Sequence, residues 1–269
     1  MSAHIHPSAI VAADAEVHPD ARIGPFCVVG PDVYIGAETE LISHVVVSGH
    51  TTMGENNRIF SFASVGSEPQ DLKYQGETSE LRIGNGNIIR ENVTINPGTE
   101  GGGMLTRVGD RNLFMAYAHV AHDCTLGNDI VLANCATLAG HVEVGDGAII
   151  GGLAAVHQLT RIGQMAMLGG MTGVVKDVPP YCMIAGGYRA GLSGLNLVGL
   201  RRRGIDAETV SLLKALYRIL FQNYDNLKLK LEEAEAVAGD NPVAVELCDF
   251  VRTAKRGVCM HQGNESKSS

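Results

Sequence analysis

An aliphatic residue stands at every sixth position from the start of the chain: Ile5, Val11, Val17, Ile23, Val29, Ile35, Leu41, Val47, Met53, Ile59 and Val65. After an aperiodic gap the same phase returns at Ile83, Ile89 and Ile95. A second gap shifts it by one residue, and it then runs through Val108, Phe114, Val120, Leu126, Leu132, Leu138, Val144, Ile150, Val156, Ile162, Leu168 and Val174. A spacing of six matches neither the 3.6-residue period of a helix nor the alternation of a simple strand. It is the hexapeptide signature of a parallel β-helix, in which three units close one triangular coil of about 18 residues. Each coil leaves its edges unpaired until a neighbour stacks on it, so stability accumulates over adjacent coils.

Two further columns support the period. Glycine often follows the aliphatic residue, as at Gly24, Gly36, Gly109, Gly127 and Gly145, where a chain turning a corner calls for a positive φ. A small or β-branched residue commonly sits two positions before it, as at Ala21, Cys27, Thr39, Ala118 and Ala136, where a larger group would crowd the corner. Composition agrees: 33 glycines, no tryptophan and 5% aromatics alongside 45% hydrophobic residues imply a core of small and aliphatic side chains. The six cysteines contain no C-x-x-C pair and no metal-finger spacing, which fits a reducing compartment. Neither a signal-type N-terminus nor an apolar run of membrane-spanning length is present, so a cytoplasmic location is expected. A formal net charge of −8 argues against a general nucleic-acid binder.

The expected organisation is a solenoid over residues 1–190 with polar, glycine-rich loops thrown out at 66–82 and 96–107. Loops of that length inside a regular solenoid usually carry function. Val178-Pro179-Pro180 should end the ladder, since consecutive prolines cannot continue it. A helical domain follows at 191–260, with Asp206 capping a first helix, a second over Leu227 to Ala238, and a third starting at Pro242 and stopping near Gly257. The polar tail, 261–269, reads as disordered.

With 18 residues per coil, His122, Gly140 and Gln158 fall in one column, and Asp123 and His141 in the next. His157 lies beside Gln158. Because His122 is two past the inward Val120, it should sit at an outward corner. A histidine of near-neutral pKa can take a proton from an alcohol that attacks a thioester. Asp123 can orient it, and a glycine one coil above leaves a bare N–H where a tetrahedral oxyanion would develop. A serine acyl-enzyme is less attractive, because no G-x-S-x-G elbow is present and Cys124 belongs to the inward column.

The runs IGPFCVVGP, SHVVVSGHT, QDLKY, HVAHDC, LAGHV, GGLAAVHQ, DVPPY and NLVGLRRRG resemble the acyl carrier protein:UDP-N-acetylglucosamine O-acyltransferases over nearly the whole chain. The resemblance implies a left-handed coil, an exception to the usual crossover hand. It implies transfer of an (R)-3-hydroxyacyl group from acyl carrier protein to the 3-position of UDP-N-acetylglucosamine, the first step of lipid A synthesis, without a cofactor or metal. On this likeness His122 is the general base, Asp123 its partner and Gly140 the oxyanion donor. Asp71, Lys73, His141, His157 and Gln158 would line the sugar-nucleotide and acyl pocket. Asn196, Arg202 and Arg203 would contact the nucleotide, the phosphopantetheine or the carrier protein. The family's sites lie between the subunits of a cyclic trimer. From Leu197 onward Lys and Arg number 11 against 10 Asp and Glu, whereas the preceding residues carry 10 against 19. Arg201, Arg202, Arg203, Lys214 and Arg218 can therefore form a local patch for an acidic carrier helix or a phosphate.

Two departures stand out. The family's I-H-R-G-T is Ile95-Asn96-Pro97-Gly98-Thr99 here, and Val198 replaces a common glutamate. They leave open a sugar bearing a 3-amino group. Gly170, in the region that limits acyl length in the family, leaves room for a longer chain. Competing readings are an N-acyltransferase of the same pathway, a γ-carbonic-anhydrase-like zinc enzyme ligated by His119, His122 and His141, and a non-catalytic scaffold. The first of these carries an extra domain before its coils, whereas the hexapeptides here begin at Ile5.

Overall fold

The computed structural model describes residues 4–222 and 226–261. The hexapeptide region forms two-residue strands joined by tight turns, each strand pairing in parallel with the strand one coil away. Ile5 pairs with Ile23, Val11 with Val29 and Val17 with Ile35, the 18-residue step that the period requires. Sheets of eleven, nine and eight strands form the three walls of a prism. The periodic aliphatic residue of each strand points inward: Ile35, Leu41, Val47, Leu132, Leu138 and Ile150 are fully buried, and the preceding small residues Ala21, Cys27, Ala118 and Ala136 fill the corners. Burying each such aliphatic side chain contributes roughly 1.5–3 kcal/mol, repeated up the stack.

The corner chemistry differs from expectation. Positive φ is carried mostly by non-glycine residues three places after the periodic aliphatic residue, such as Asp32, Glu38, Asp129 and His141. The periodic glycines serve close approach instead, since a Cβ on Gly24 would lie 1.8 Å from the Ile42 carbonyl oxygen of the next coil. Left-handed turn residues mark three edges of the prism. One carries Phe26, His44, Phe62, Tyr117 and Met171, a second carries Asp123, His141 and Leu159, and a third carries Asn56, Arg111, Asp129 and Met165.

Both inserted loops leave from the second edge, between Ser64–Val65 and Glu80–Ile83 and between Thr94–Ile95 and Leu105–Val108. They replace the turns of the two coils directly below His122. Residues 80–82 and 105–107, expected in the loops, are strand: Glu80–Ile83 pairs with His50–Met53 on one side and Leu105–Val108 on the other. The register steps there are 30 and 25 residues, as in Arg58↔Ile88 and Ile88↔Leu113. A buried side-chain ladder crosses both steps near the third edge. Asn57 Oδ1 accepts from the Asn87 N–H at 2.8 Å, Asn87 Oδ1 from the Asn112 N–H at 2.9 Å, and Asn112 Oδ1 from the Ile130 N–H at 2.8 Å.

Past the two prolines the ladder gains one more parallel strand, Cys182–Ala185, and an antiparallel one, Gly191–Leu195, at the start of the segment expected to be helical. A short helix α1 (Leu197–Arg202), also unexpected, is capped by Asn196. Helix α2 (Ala207–Phe221) is capped by Asp206 and buries Leu213, Leu216, Tyr217, Leu220 and Phe221. Helix α3 (Leu227–Ala238) and helix α4 (Pro242–Arg252) complete the cluster. Helix α4 stops at the Thr253 cap rather than near Gly257, and the chain returns to bridge Asp177 to Val258 and Leu192 to His261. Of the expected tail, 262–269 lie outside the described residues.

Candidate active site

His122 and Asp123 form the outward turn between strands His119–Val120 and Thr125–Leu126, on the edge that bears both loops. The His122 ring projects from the prism, 14% exposed, and lies flat against the next coil where Gly140 stands. A Cβ at position 140 would come within 2.5 Å of the His122 ring. His122 Nδ1 is 2.7 Å from Asp123 Oδ2. Asp123 is an acceptor, so Nδ1 carries the proton and Nε2 presents its lone pair outward. Asp71, brought in by the first loop, places Oδ2 3.9 Å from that Nε2. The His141 ring packs edge-on to His122, centroids 5.1 Å apart, with its Nδ1 3.9 Å from Asp123 Oδ2.

The Asp123 carboxylate is fully buried. The second loop folds over it: the Thr99 N–H donates to Oδ1 at 2.9 Å and the Thr99 hydroxyl to Oδ2 at 2.6 Å. Thr106 accepts the Asp123 N–H at 2.8 Å. Gly102 lies so close that a Cβ there would sit 1.9 Å from Asp123 Cγ. The two loops are tied together where the Glu100 N–H reaches Glu77 Oε1 at 3.1 Å. The Gln75 N–H first, then Glu77's own N–H and that of Glu100, hold the Glu77 carboxyl below its ordinary range. Thr99 and Thr106 were not legible as site residues, because their partner is reached only through the folded loop.

The N–H of Gly140 donates to no protein acceptor among the described residues. The equivalent positions on the third edge behave differently. There the N–H groups of Glu55, Asn85, Asp110 and Asn128 are each taken, at 2.7–2.8 Å, by an Asn or Asp oxygen from the coil above. On the edge that bears His122 no such acceptor is provided among the described residues, and the Gly140 amide stands beside the imidazole ring. Replacing Gly140 by alanine is expected to leave the fold intact, because the corner points outward, and to displace the His122 ring. A displacement of that size costs on the order of 10²-fold in kcat/KM, checked by kinetics beside thermal melting.

His157 and Gln158 are exposed one coil above Gly140. His157 Nδ1 lies 3.0 Å from the Gln158 carbonyl oxygen and 3.4 Å from an Arg256 guanidinium nitrogen. With Lys176, Tyr188, Arg189 and Arg256 it lines a cavity of about 540 Å³, whose cationic groups the sequence reading had not singled out. Lys73 is exposed, its backbone N–H donating to Asp71 Oδ1. Asn196, Arg202 and Arg203 are not brought to this edge within one chain. Asn196 donates to the Met165 carbonyl and Arg203 faces Asp129 at 3.5 Å, both on the third edge, while Arg202 is exposed at the end of α1. Donor atoms of His122, Asp123 and His141 lie within 4.8 Å of one another. His119, the third ligand of the zinc reading, instead places Nδ1 2.7 Å from the Thr94 hydroxyl, and burial, reinforced by His122, lowers its pKa.

A family profile described as Udp N-acetylglucosamine O-acyltransferase, domain 2, matches residues 177–259. The chain is 49% identical over 255 residues to the acyl-[acyl-carrier-protein]–UDP-N-acetylglucosamine O-acyltransferase of Thermodesulfovibrio yellowstonii, covering 95% of this chain and 98% of that protein. It is 47% identical to the enzyme of the same name from Nautilia profundicola, over 77% of this chain and 79% of that one. The crystal structure of Francisella novicida UDP-N-acetylglucosamine acyltransferase superposes with a TM-score of 0.93 at 39% identity, covering 96% and 95% of the two chains. The prism is thus the left-handed parallel β-helix, with four helices among the described residues at its C-terminal end.

Proposed function

Because the chain belongs to the acyl-[acyl-carrier-protein]–UDP-N-acetylglucosamine O-acyltransferase family, we propose that His122 is the base through which it performs that transfer. The protein is an acyltransferase of lipid A biosynthesis, moving an acyl group from acyl carrier protein to UDP-N-acetylglucosamine. His122 Nε2 takes the proton of the sugar 3-hydroxyl as its oxygen attacks the thioester carbonyl. Asp123 holds the tautomer and stabilises the imidazolium. The Gly140 N–H receives the developing oxyanion. Collapse of the tetrahedral intermediate expels the carrier thiolate, which takes the proton back from His122, leaving an ester and a free thiol. The observation that carries this reading is the stacking of an outward imidazole, its buried carboxylate and an unpaired amide N–H on one edge.

Asp71, Lys73, His141, His157 and Gln158 lie on or beside that edge and serve the sugar nucleotide and acyl chain. Asn196, Arg202 and Arg203 serve a site formed with a second copy. Their separation from His122 within one chain supports a cyclic trimer, in which one subunit's edge meets its neighbour's. We place the reaction in the cytoplasm, with a hydroxylated acyl donor; six free thiols fit a reducing compartment. No helix among the described residues is long and apolar enough to cross a membrane.

The test is to offer the purified protein a series of 3-hydroxyacyl carrier-protein thioesters with UDP-N-acetylglucosamine, and with the 3-amino sugar nucleotide in parallel, and to identify products by mass. Ester formation on the hydroxyl sugar with release of the carrier thiol is expected. Thioester hydrolysis alone, or a strong preference for the amine, would overturn the proposed acceptor.

A further inference from the structure

The Asp123 carboxylate has two imidazoles within reach, and Oδ2 is the oxygen that faces both: His122 Nδ1 at 2.7 Å and His141 Nδ1 at 3.9 Å. Nothing in the spacing of the chain decides between them, because His122 is its sequence neighbour and His141 stacks directly above it. What decides is the second loop. Thr99 grips both oxygens, the N–H on Oδ1 and the hydroxyl on Oδ2. With one oxygen held on each arm the carboxylate cannot rotate about its Cβ–Cγ bond, and Oδ2 stays aimed at His122. Thr99 is itself buried, and its carbonyl is held by the N–H groups of Gly102 and Met104 at 3.0 Å each. Gly102 adds steric confinement, since no side chain fits between the loop and the carboxylate.

We propose that Thr99 is a positioning residue for acyl transfer, dedicating Asp123 to His122 rather than His141 and so keeping His122 Nε2 free of a proton. The inference rests on His122 being the base. Without the hydroxyl, Oδ2 can turn toward His141, and His122 loses the acceptor that fixes its tautomer. Hydrogen-bond partners that orient a metal-ligating histidine are worth roughly 10- to 100-fold in activity, and a threonine that orients a histidine's carboxylate partner is expected to act in the same range. That range separates a positioning role from a purely structural one, which would move stability alone.

The experiment compares Thr99→Val, which keeps the shape and the backbone N–H but removes the hydroxyl, with Thr99→Ser, which restores it. Acyl transfer is followed from carrier-protein thioesters to UDP-N-acetylglucosamine across pH. Thr99→Val is expected to lower kcat roughly 10- to 100-fold with KM for the sugar nucleotide little changed, to shift the acid limb of the kcat/KM profile, and to be rescued by serine. Combined with Asp123→Asn it should add little further loss, because the threonine acts only through the aspartate. A folded Thr99→Val protein with the kcat and pH profile of the parent would overturn the inference, as would full additivity with Asp123→Asn or failure of serine to rescue. If the parent protein turns over but His122→Ala does so equally well, it is the assignment of the base that fails.

Discussion

Replacing His122 by alanine is expected to lower turnover by roughly 10²–10⁴-fold while leaving the circular dichroism spectrum and melting temperature close to those of the parent. The two expectations come from the same geometry. The ring lies outside the prism, so its loss opens no core cavity; the inward neighbours Val120 and Cys124, both fully buried, are untouched. What disappears is the imidazole that lies against Gly140 and is held by Asp123. Truncation also strands the buried Asp123 carboxylate with Thr99 as its remaining close donor, which can cost some local stability without unfolding the coil. Steady-state kinetics at saturating concentrations of both substrates, beside a thermal melt, is the measurement. Unaltered turnover would leave the edge as scaffold and move the chemistry elsewhere.

The second large effect concerns the solenoid's C-terminal end. Arg161 Nε donates to Asp177 Oδ2 at 2.9 Å, and Asp177 is 2% exposed. The same guanidinium donates to the Phe250 carbonyl at 2.9 Å and the Thr253 hydroxyl at 3.0 Å, and it lies 4.3 Å above the Phe250 ring. The backbone of Asp177 in turn pairs with Gly257 and Cys259 of the returning chain. One side chain thereby fastens the last coil, helix α4 and the C-terminal segment together. Arg161→Met keeps most of the apolar stem but leaves a buried carboxylate without its counter-charge, at a cost of about 3–5 kcal/mol. Urea unfolding should show that loss as a lower midpoint. Adding Asp177→Asn should recover part of it, since the uncompensated charge is then gone. If the double variant is no more stable than the single one, the ion pair is not what holds the end together.

Much of this arrangement was readable beforehand, and the reason is mechanical. In a stack of identical coils, positions 18 apart must superpose, so the period alone puts His122 under Gly140 and Gln158 and turns Val120 inward. The helix starts at the Asp206 cap and at Pro242 follow equally local rules. What escaped had non-local causes. Positive φ falls on Asp129 and His141 rather than on the periodic glycines, and their N–H groups reach the Asp110 and His122 carbonyls of the coil below. The strands Glu80–Ile83 and Leu105–Val108 lie next to loops rich in glycine and charge, which masked their two-residue alternation. The terminal strand pair and the return of Val258 to Asp177 depend on partners far away in the chain. Thr99 is the clearest case. A threonine in a glycine-rich stretch carries no local mark of the carboxylate it will meet.

The asparagine ladder bears on how such a site can change over time. The two coils that sprout loops are pinned to each other and to their neighbours at a different corner, through Asn57, Asn87 and Asn112. A screw whose thread is locked on one side can be recut on another without slipping its pitch. Lengthening or trimming the first loop to suit a new acceptor therefore leaves base, carboxylate and amide in step as long as the second loop keeps Thr99 on the carboxylate, and substrate choice becomes an evolvable accessory bolted to a fixed chemical frame.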